Sequence, residues 1–390
     1  MTPRGEDEPP VGSDEPLAQD GRKRVAASDP AGSPTPDESD APPADPVDPI
    51  TQEQELRAAG ARRRRLRREG RAANPEGLRI GFDTRAASDP RGIGRYVRSL
   101  LTALRATARE GDEIIEGRRP RDVDLYHSPW IDGAALRSSV PQVVTLHDLI
   151  PLKRRAEYLR TGVRFRLRYA AVARAQRIIV PTHAVSRDAV EHLGVPEDRV
   201  SVISEAPVAA MYPRPEAEVA MVRALYGLPE GDYLVWVGGL QHPDPRKRVA
   251  ALAEAPRDLP LVLVGPAREW ARELGQREGI TVTGHVTDDE LAALYTGARA
   301  LVFPSDDEGF GLPTVEALAC GTPVVTCDVP VLREVLGDRA TFVDCDDLAG
   351  LLSAGVAARR PAPPPPAFTW EDAARATWEV YREAVRGQSR

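Results

Sequence analysis

From Leu78 onward, short apolar runs alternate with longer stretches in which apolar and polar residues share a helical period. Leu78-Arg-Ile-Gly-Phe-Asp83 reads as a first strand, and Ile93 to Ala106 as the helix after it. Further apolar runs follow at Val123–Ser128, Gln142–Leu146, Arg177–Val180 and Val200–Ile203. A second series opens with Asp232-Tyr-Leu-Val-Trp-Val-Gly-Gly239. It continues through Leu261–Gly265, Ile280–Val286, the helical Glu290–Tyr295 and the buried-strand pattern Ala300–Phe303. Phe368-Thr-Trp370 then starts a helix running to about Val385. Strands that alternate with helices in this way predict parallel α/β layers. Two such series predict two Rossmann-like units, at 77–212 and 213–362, with a final helical segment at 363–390.

Residues 1 to 56 break the pattern, being rich in Pro, Asp, Glu, Ser and Ala. Such a segment cannot bury enough apolar surface to offset its ordering entropy, so residues 1–76 are expected to form an extension outside the folded units. Its charge flips at Arg57, and Arg62-Arg-Arg-Arg-Leu-Arg-Arg-Glu-Gly-Arg71 is a dense basic run. A solvated helical linker, contact with an anionic membrane and nucleic-acid binding all suit such a run. It lacks interleaved aromatics, which counts against nucleic acid and against deep membrane insertion.

The formal charge of −7 averages this basic run with the acidic tail, and 42% hydrophobic content suffices for two ordinary cores. The cysteines, Cys320, Cys327 and Cys345, show no CxxC spacing, so neither a zinc site nor a disulfide framework is expected. No apolar run reaches the length of a membrane span and the N-terminus lacks a signal-peptide core. The expected setting is the cytoplasm, with peripheral attachment to the inner face of the plasma membrane as its extension.

The segment richest in chemistry is Ala300-Leu-Val-Phe-Pro-Ser-Asp-Asp-Glu308-Gly-Phe-Gly-Leu-Pro-Thr-Val-Glu316, followed by Ala-Leu-Ala-Cys-Gly321. It reads as a strand, a glycine loop and a short helix with Pro313 at the first helical position and Gly321 just past the end. Gly309 and Gly311 allow a tight turn, and the amides from Phe310 to Thr314 would seat a phosphate. Two carboxylates beside a phosphate seat make electrostatic sense when they accept hydrogen bonds from hydroxyls. Sugars supply hydroxyls, so the combination points to a nucleotide sugar.

With eight residues' spacing between Glu308 and Glu316 and Gly-Phe-Gly-Leu-Pro between them, this segment resembles the Glu-x7-Glu motif of family 4 retaining glycosyltransferases. The resemblance covers residues 78 to about 386. It implies a GT-B fold, two Rossmann-like parallel-sheet domains facing a cleft. It further implies transfer of a hexosyl unit from a nucleoside diphosphate sugar to a glycan, lipid or small-molecule acceptor, with retention at the anomeric carbon. Glu308 would face the donor sugar, Glu316 would hold the ribose, and Gly309, Phe310, Gly311 and Leu312 would line the donor. Arg246 and Lys247 match the family's cation pair on the diphosphate, so that no metal or other cofactor is expected, and Asp306-Asp307 is not an Asp-x-Asp metal motif. His242-Pro-Asp244 looks like a short insertion in that loop.

In the first half, Arg91-Gly-Ile-Gly-Arg-Tyr96 resembles the family's loop beside the donor phosphates, which brings Gly94 into the site. It lacks the third glycine of a dinucleotide fingerprint. Gln142-Val-Val-Thr-Leu-His147-Asp148-Leu-Ile-Pro151 places His147 at the carboxyl end of a strand, where open α/β sheets bind ligands. His147 is therefore a catalytic candidate beside Glu308, with a buried, carbonyl-bonded histidine as the plainer reading. The His-Asp-Leu-Ile-Pro signature leans toward mannose-type donors. Thr182 stands where the family commonly has Ser, and Ser204-Glu205-Ala206 replaces a usual Pro-containing turn. Arg109 to Val123 leaves only about fifteen residues where the family usually carries a strand, helix and strand, so the first domain is expected to be short of strands. An inactive GT-B-like partner of another glycosyltransferase, favoured by that shortening, and a sugar-nucleotide epimerase of the same fold are the competing readings.

Overall fold

The computed structural model describes residues 77–90, 92–154, 158 and 162–387, with only the backbone of 162–165. The acidic extension, the Arg62–Arg71 run and Arg91 lie outside the described residues.

The first sheet contains β1 (Arg79–Phe82), β2 (Glu113–Glu116), β3 (Leu125–Ser128), β4 (Gln142–Thr145), β5 (Arg177–Val180) and β6 (Val200–Val202). Their spatial order is β2-β1-β3-β4-β5-β6, and every neighbouring pair is parallel. The central strands are buried along their whole length, which explains why they read as continuous apolar runs rather than alternating ones. The first half is short as expected, because between its first helix and β3 the chain adds one strand and no helix. That strand, β2, is an exposed edge strand, Glu-Ile-Ile-Glu, whose apolar centre is too short to stand out in the sequence. What the short segment lacks is a helix, because residues 117–124 cross from β2 to β3 without one.

The second sheet contains β7 (Leu234–Val237), β8 (Leu261–Val264), β9 (Ile280–Gly284), β10 (Ala300–Phe303), β11 (Val324–Cys327) and β12 (Thr341–Val343). Its order, β12-β11-β10-β7-β8-β9, is again all parallel. This is the doubly wound Rossmann order, in which the winding reverses between β7 and β10 and leaves a crevice at their carboxyl ends. In the first sheet the reversal lies between β1 and β3.

The helix Trp370–Arg386 returns from the second half and packs on the first, against the helix Gly92–Thr107. Trp370, Ala374, Trp378 and Tyr381 share a buried core with Leu100, Leu104, Phe82 and Leu125. Trp378 donates its indole N–H to the Leu104 carbonyl at 3.1 Å. Tyr381 meets Nδ1 of His127 at 2.6 Å, and Thr145 meets its Nε2 at 3.0 Å. Burial pushes the His127 imidazole down to about 3, so the ring is neutral and both nitrogens are satisfied without charge. Thr369 caps the helix by accepting from the Asp372 amide.

Trp378→Ala should therefore cost about 3–5 kcal/mol, the range for truncating a buried large aromatic. Denaturant unfolding followed by tryptophan-independent circular dichroism would measure it; a midpoint unchanged from the parent would show that the returning helix is not part of the first core.

Candidate active site

The carboxyl ends of the two sheets face one another across a cavity of about 520 Å³. From the second half it is lined by Gly238 and Gly239 after β7, Gly265 after β8, His285 after β9 and the whole loop from Glu308 to Leu312. From the first half come Gly92, Ile93, Arg95, His147, Asp148, Tyr158 and Glu205. The volume falls within the roughly 300–1,000 Å³ of small-molecule sites.

The glycine loop is held by contact with the opposite half. A Cβ on Gly309 would lie 1.9 Å from the His147 carbonyl oxygen, so no side chain can stand there. Thr182 caps the helix His183–Leu193 by accepting from the Val185 amide at 3.2 Å, and its hydroxyl donates to the Gly309 carbonyl at 3.2 Å. Gly311, at φ 88°, starts the helix Leu312–Ala319. Pro313 is the second helical residue rather than the first, and the Thr314 amide is taken by the Gly311 carbonyl at 2.9 Å, so the open amides lie before it. Phe310 is buried, with its ring 5.9 Å from that of Phe368.

Glu308 accepts from Arg246 Nη1 at 3.1 Å. Arg246 also reaches Asp244 at 3.0 Å and the Asp307 carbonyl at 3.3 Å. Burial acts to lower the arginine's pKa, but Glu308, Asp148 and Asp244 outweigh it and hold the guanidinium firmly charged. The loop around Asp244 thus orients Arg246, and Tyr158 ties it to the first half by donating to Asp244 at 2.7 Å. Lys247 lines the cavity with its ammonium 5.9 Å from the Trp236 ring centroid.

Glu316 is the fifth residue of its helix and almost fully buried. Burial raises its carboxyl above the ordinary range, opposed by Arg95. Arg95 donates to Glu316 at 2.7 Å and to Asp288 at 2.5 Å, joining the halves through the arginine of the Gly-Ile-Gly-Arg turn. Sequence reasoning passed over Arg95, although its position directly after Gly94 was visible. Gly94 itself lies behind the wall, packed on the Asp89 carbonyl, while Gly92, Ile93 and Arg95 face the cavity. Asp306 and Asp307 also span the halves, to Arg154 at 2.8 Å and Lys153 at 3.2 Å.

His147 lines the cavity, yet both of its nitrogens are engaged. Nδ1 faces Glu205 at 3.0 Å and Nε2 faces the Pro129 carbonyl at 3.0 Å, with the Tyr96 ring edge-on at 4.5 Å. A carbonyl only accepts, so Nε2 carries a proton; Nδ1 donates to the carboxylate, which makes the ring an imidazolium. Burial would lower its pKa, but the Glu205 hydrogen bond and charge, with the Pro129 carbonyl, leave it raised. In this arrangement the imidazolium is held against Glu205, with no nitrogen open for proton transfer. Glu205 was visible only as a lone acid at a strand end where the family carries a different turn.

A raised histidine pKa contributes stability fully below its ordinary value of about 6.5 and loses it as pH rises through the folded value. Glu205→Gln should move the His147 titration to lower pH in imidazole NMR spectra. The variant should be less stable by about 1.5–3 kcal/mol below that pH, the gap shrinking at alkaline pH. An unmoved titration would disprove the pairing.

Two family models match the chain, "Glycosyltransferase Family 4" over residues 30–206 and "Glycosyl transferases group 1" over residues 244–353. A D-inositol 3-phosphate glycosyltransferase of Streptomyces bingchenggensis is 31% identical over 320 residues, covering 70% of this chain and 70% of that protein. The O-antigen chain mannosyltransferase B of Escherichia coli is 31% identical over 233 residues, and the match spans 53% of this chain and 60% of that protein's length. Among solved structures, HepE of Anabaena, determined with UDP and glucose, superposes with a TM-score of 0.55 at 17% identity, over 80% of this chain and 99% of that one. WaaG, a glycosyltransferase involved in lipopolysaccharide biosynthesis, gives 0.56 at 16% identity over 79% and 95%. The chain belongs to the family 4 glycosyltransferases and has their GT-B fold.

Proposed function

We propose that the protein transfers a hexosyl unit, with mannose favoured, from a nucleoside diphosphate sugar to a glycan or lipid-linked acceptor, retaining the anomeric configuration. The observation that carries this reading is the single cavity into which Glu308, Arg246, Lys247, the Gly309–Leu312 loop and Glu316 converge. Relatives described as O-antigen chain and serotype-specific mannosyltransferases support the sugar, and the UDP and UDP-glucose complexes of HepE support a nucleotide-sugar donor. The cytoplasm, at the inner face of the plasma membrane, is the setting that fits such a donor; no described helix is long and apolar enough to cross a membrane.

The chemical task is to stabilise a departing diphosphate while positive charge grows on the sugar ring. Lys247, Arg246 and the amides before Thr314 would meet the diphosphate, worth most in a site from which water is excluded. The ribose diol would donate to Glu316, whose position is set by Arg95. Glu308, fixed by Arg246, would lie against the sugar and favour the cationic transition state. The charge of His147, neutralised by Glu205, would help orient sugar hydroxyls rather than move protons.

Nucleotide binding is tested by thermal shift against GDP, UDP and ADP sugars, because a bound ligand raises apparent stability by mass action. Release of nucleoside diphosphate only when an acceptor is present then distinguishes transfer from epimerisation or scaffolding. Activity should persist in excess chelator, and Lys247→Ala should lose about 2–4 kcal/mol of transition-state stabilisation. Restoration by magnesium of activity abolished by EDTA would refute the metal-free mechanism.

The glutamates should separate kinetically. Glu316→Gln should weaken free nucleoside diphosphate by about 1–3 kcal/mol, since its contact is equal in ground and transition states. Glu308→Gln should depress turnover far more than nucleotide affinity. Calorimetry and donor kinetics giving the opposite division would reverse the two roles.

A further inference from the structure

On the first half, away from the residues that line the donor cavity, an open groove of about 620 Å³ runs between the helix Gly162–Ala173 and the segment after β3. Ala134, Leu136, Leu167 and Ala171 supply its apolar wall, and Arg119, Arg137 and Arg168 its polar margin. Leu136 is 39% and Leu167 49% exposed, two of the six large apolar side chains left exposed among the described residues. None of the described lining residues is acidic. Asp132, which pairs with Arg168 at 2.9 Å, offsets one of the three charges. The helix-free crossover adds exposed Arg118 and Arg121 against one exposed acid, Asp122, and the helix Gly162–Ala173 adds exposed Arg166 while containing no acid in its sequence.

We propose that this face docks on an anionic lipid surface, with the arginines on lipid phosphates and Leu136 and Leu167 entering the acyl boundary. Guanidinium groups bind phosphate oxygens bidentately and lose less hydration than ammonium groups on doing so. A basic margin around exposed leucines is the pattern of an element that lies in a membrane interface. Nucleic acid fits less well, because among the described residues no aromatic ring lines the groove for a base to stack on. The Gly162–Ala173 helix packs on the one-turn segment Ile131–Gly133 that follows β3, so the docked face adjoins the edge of the sheet from which the cleft opens. A membrane-held acceptor would then reach the cleft along the surface.

The test uses the full chain and cosedimentation with phosphatidylcholine vesicles, with and without phosphatidylglycerol, over a salt series. The readout is binding and does not depend on transferase activity. The unchanged chain should bind only the anionic vesicles and release as salt rises. Arg119→Gln with Arg137→Gln should weaken this binding on the order of tenfold. Leu136→Ser with Leu167→Ser should weaken it at every salt concentration, since burial of apolar surface is not screened. Unaltered melting temperatures would establish that both variants are folded. Binding by both variants equal to that of the parent would overturn the proposal and assign attachment to Arg62–Arg71. Groove-dependent binding to duplex DNA without vesicle binding would overturn it in favour of nucleic acid.

Discussion

The contact of Gly309 with the His147 carbonyl brings the backbone of one half against a strand end of the other, and the geometry of the cleft follows from it. A methyl group at that point would push the loop away from the first sheet. The loop carries Glu308 before it and the start of the Glu316 helix after it. Its separation from His147 therefore fixes where both carboxylates stand relative to the first half. Thr182 holds the same peptide by a hydrogen bond and roots it in a helix cap.

Around this contact the halves are joined by charge. Arg95 reaches Glu316 and Asp288, Lys153 and Arg154 reach Asp307 and Asp306, and the Glu334 carboxylate accepts from the His183 and Ala184 amides at a helix start. In each pairing the cation or the amide donor comes from the first half and the carboxylate from the second. That separation of sign gives the halves a mutual attraction at a distance, which a hydrophobic contact would not provide. The pairs at Asp306 and Asp307 are partly exposed and individually weak, whereas Arg95 meets a Glu316 that is almost fully buried.

The strands and the glycine loop were legible in the sequence because each is a local pattern, a buried run or a turn residue between a strand and a helix. The two carboxylates could be placed for the same reason. Arg95 was not legible as a partner of Glu316, 221 residues away, since no local period records such a pairing. Glu205 and His147, 58 residues apart, illustrate the same limit: the motif located the histidine, while its charge state depends on a residue outside the motif. The Asp244 insertion looked like a mere lengthening, and its effect on Arg246 emerges only from the side-chain contacts. The edge strand β2 escaped notice because it has two apolar residues between two acids.

The returning helix Trp370–Arg386 also has a consequence for the order of assembly on the ribosome. The first core takes Trp370, Trp378 and Tyr381 from a helix that is synthesised after the whole second sheet. The second sheet, by contrast, is complete once β12 at Thr341–Val343 has emerged. The usual sequence in which amino-terminal domains finish first is thereby inverted. The half translated earlier keeps its core open along the Gly92–Thr107 helix until the returning helix leaves the exit tunnel and closes it.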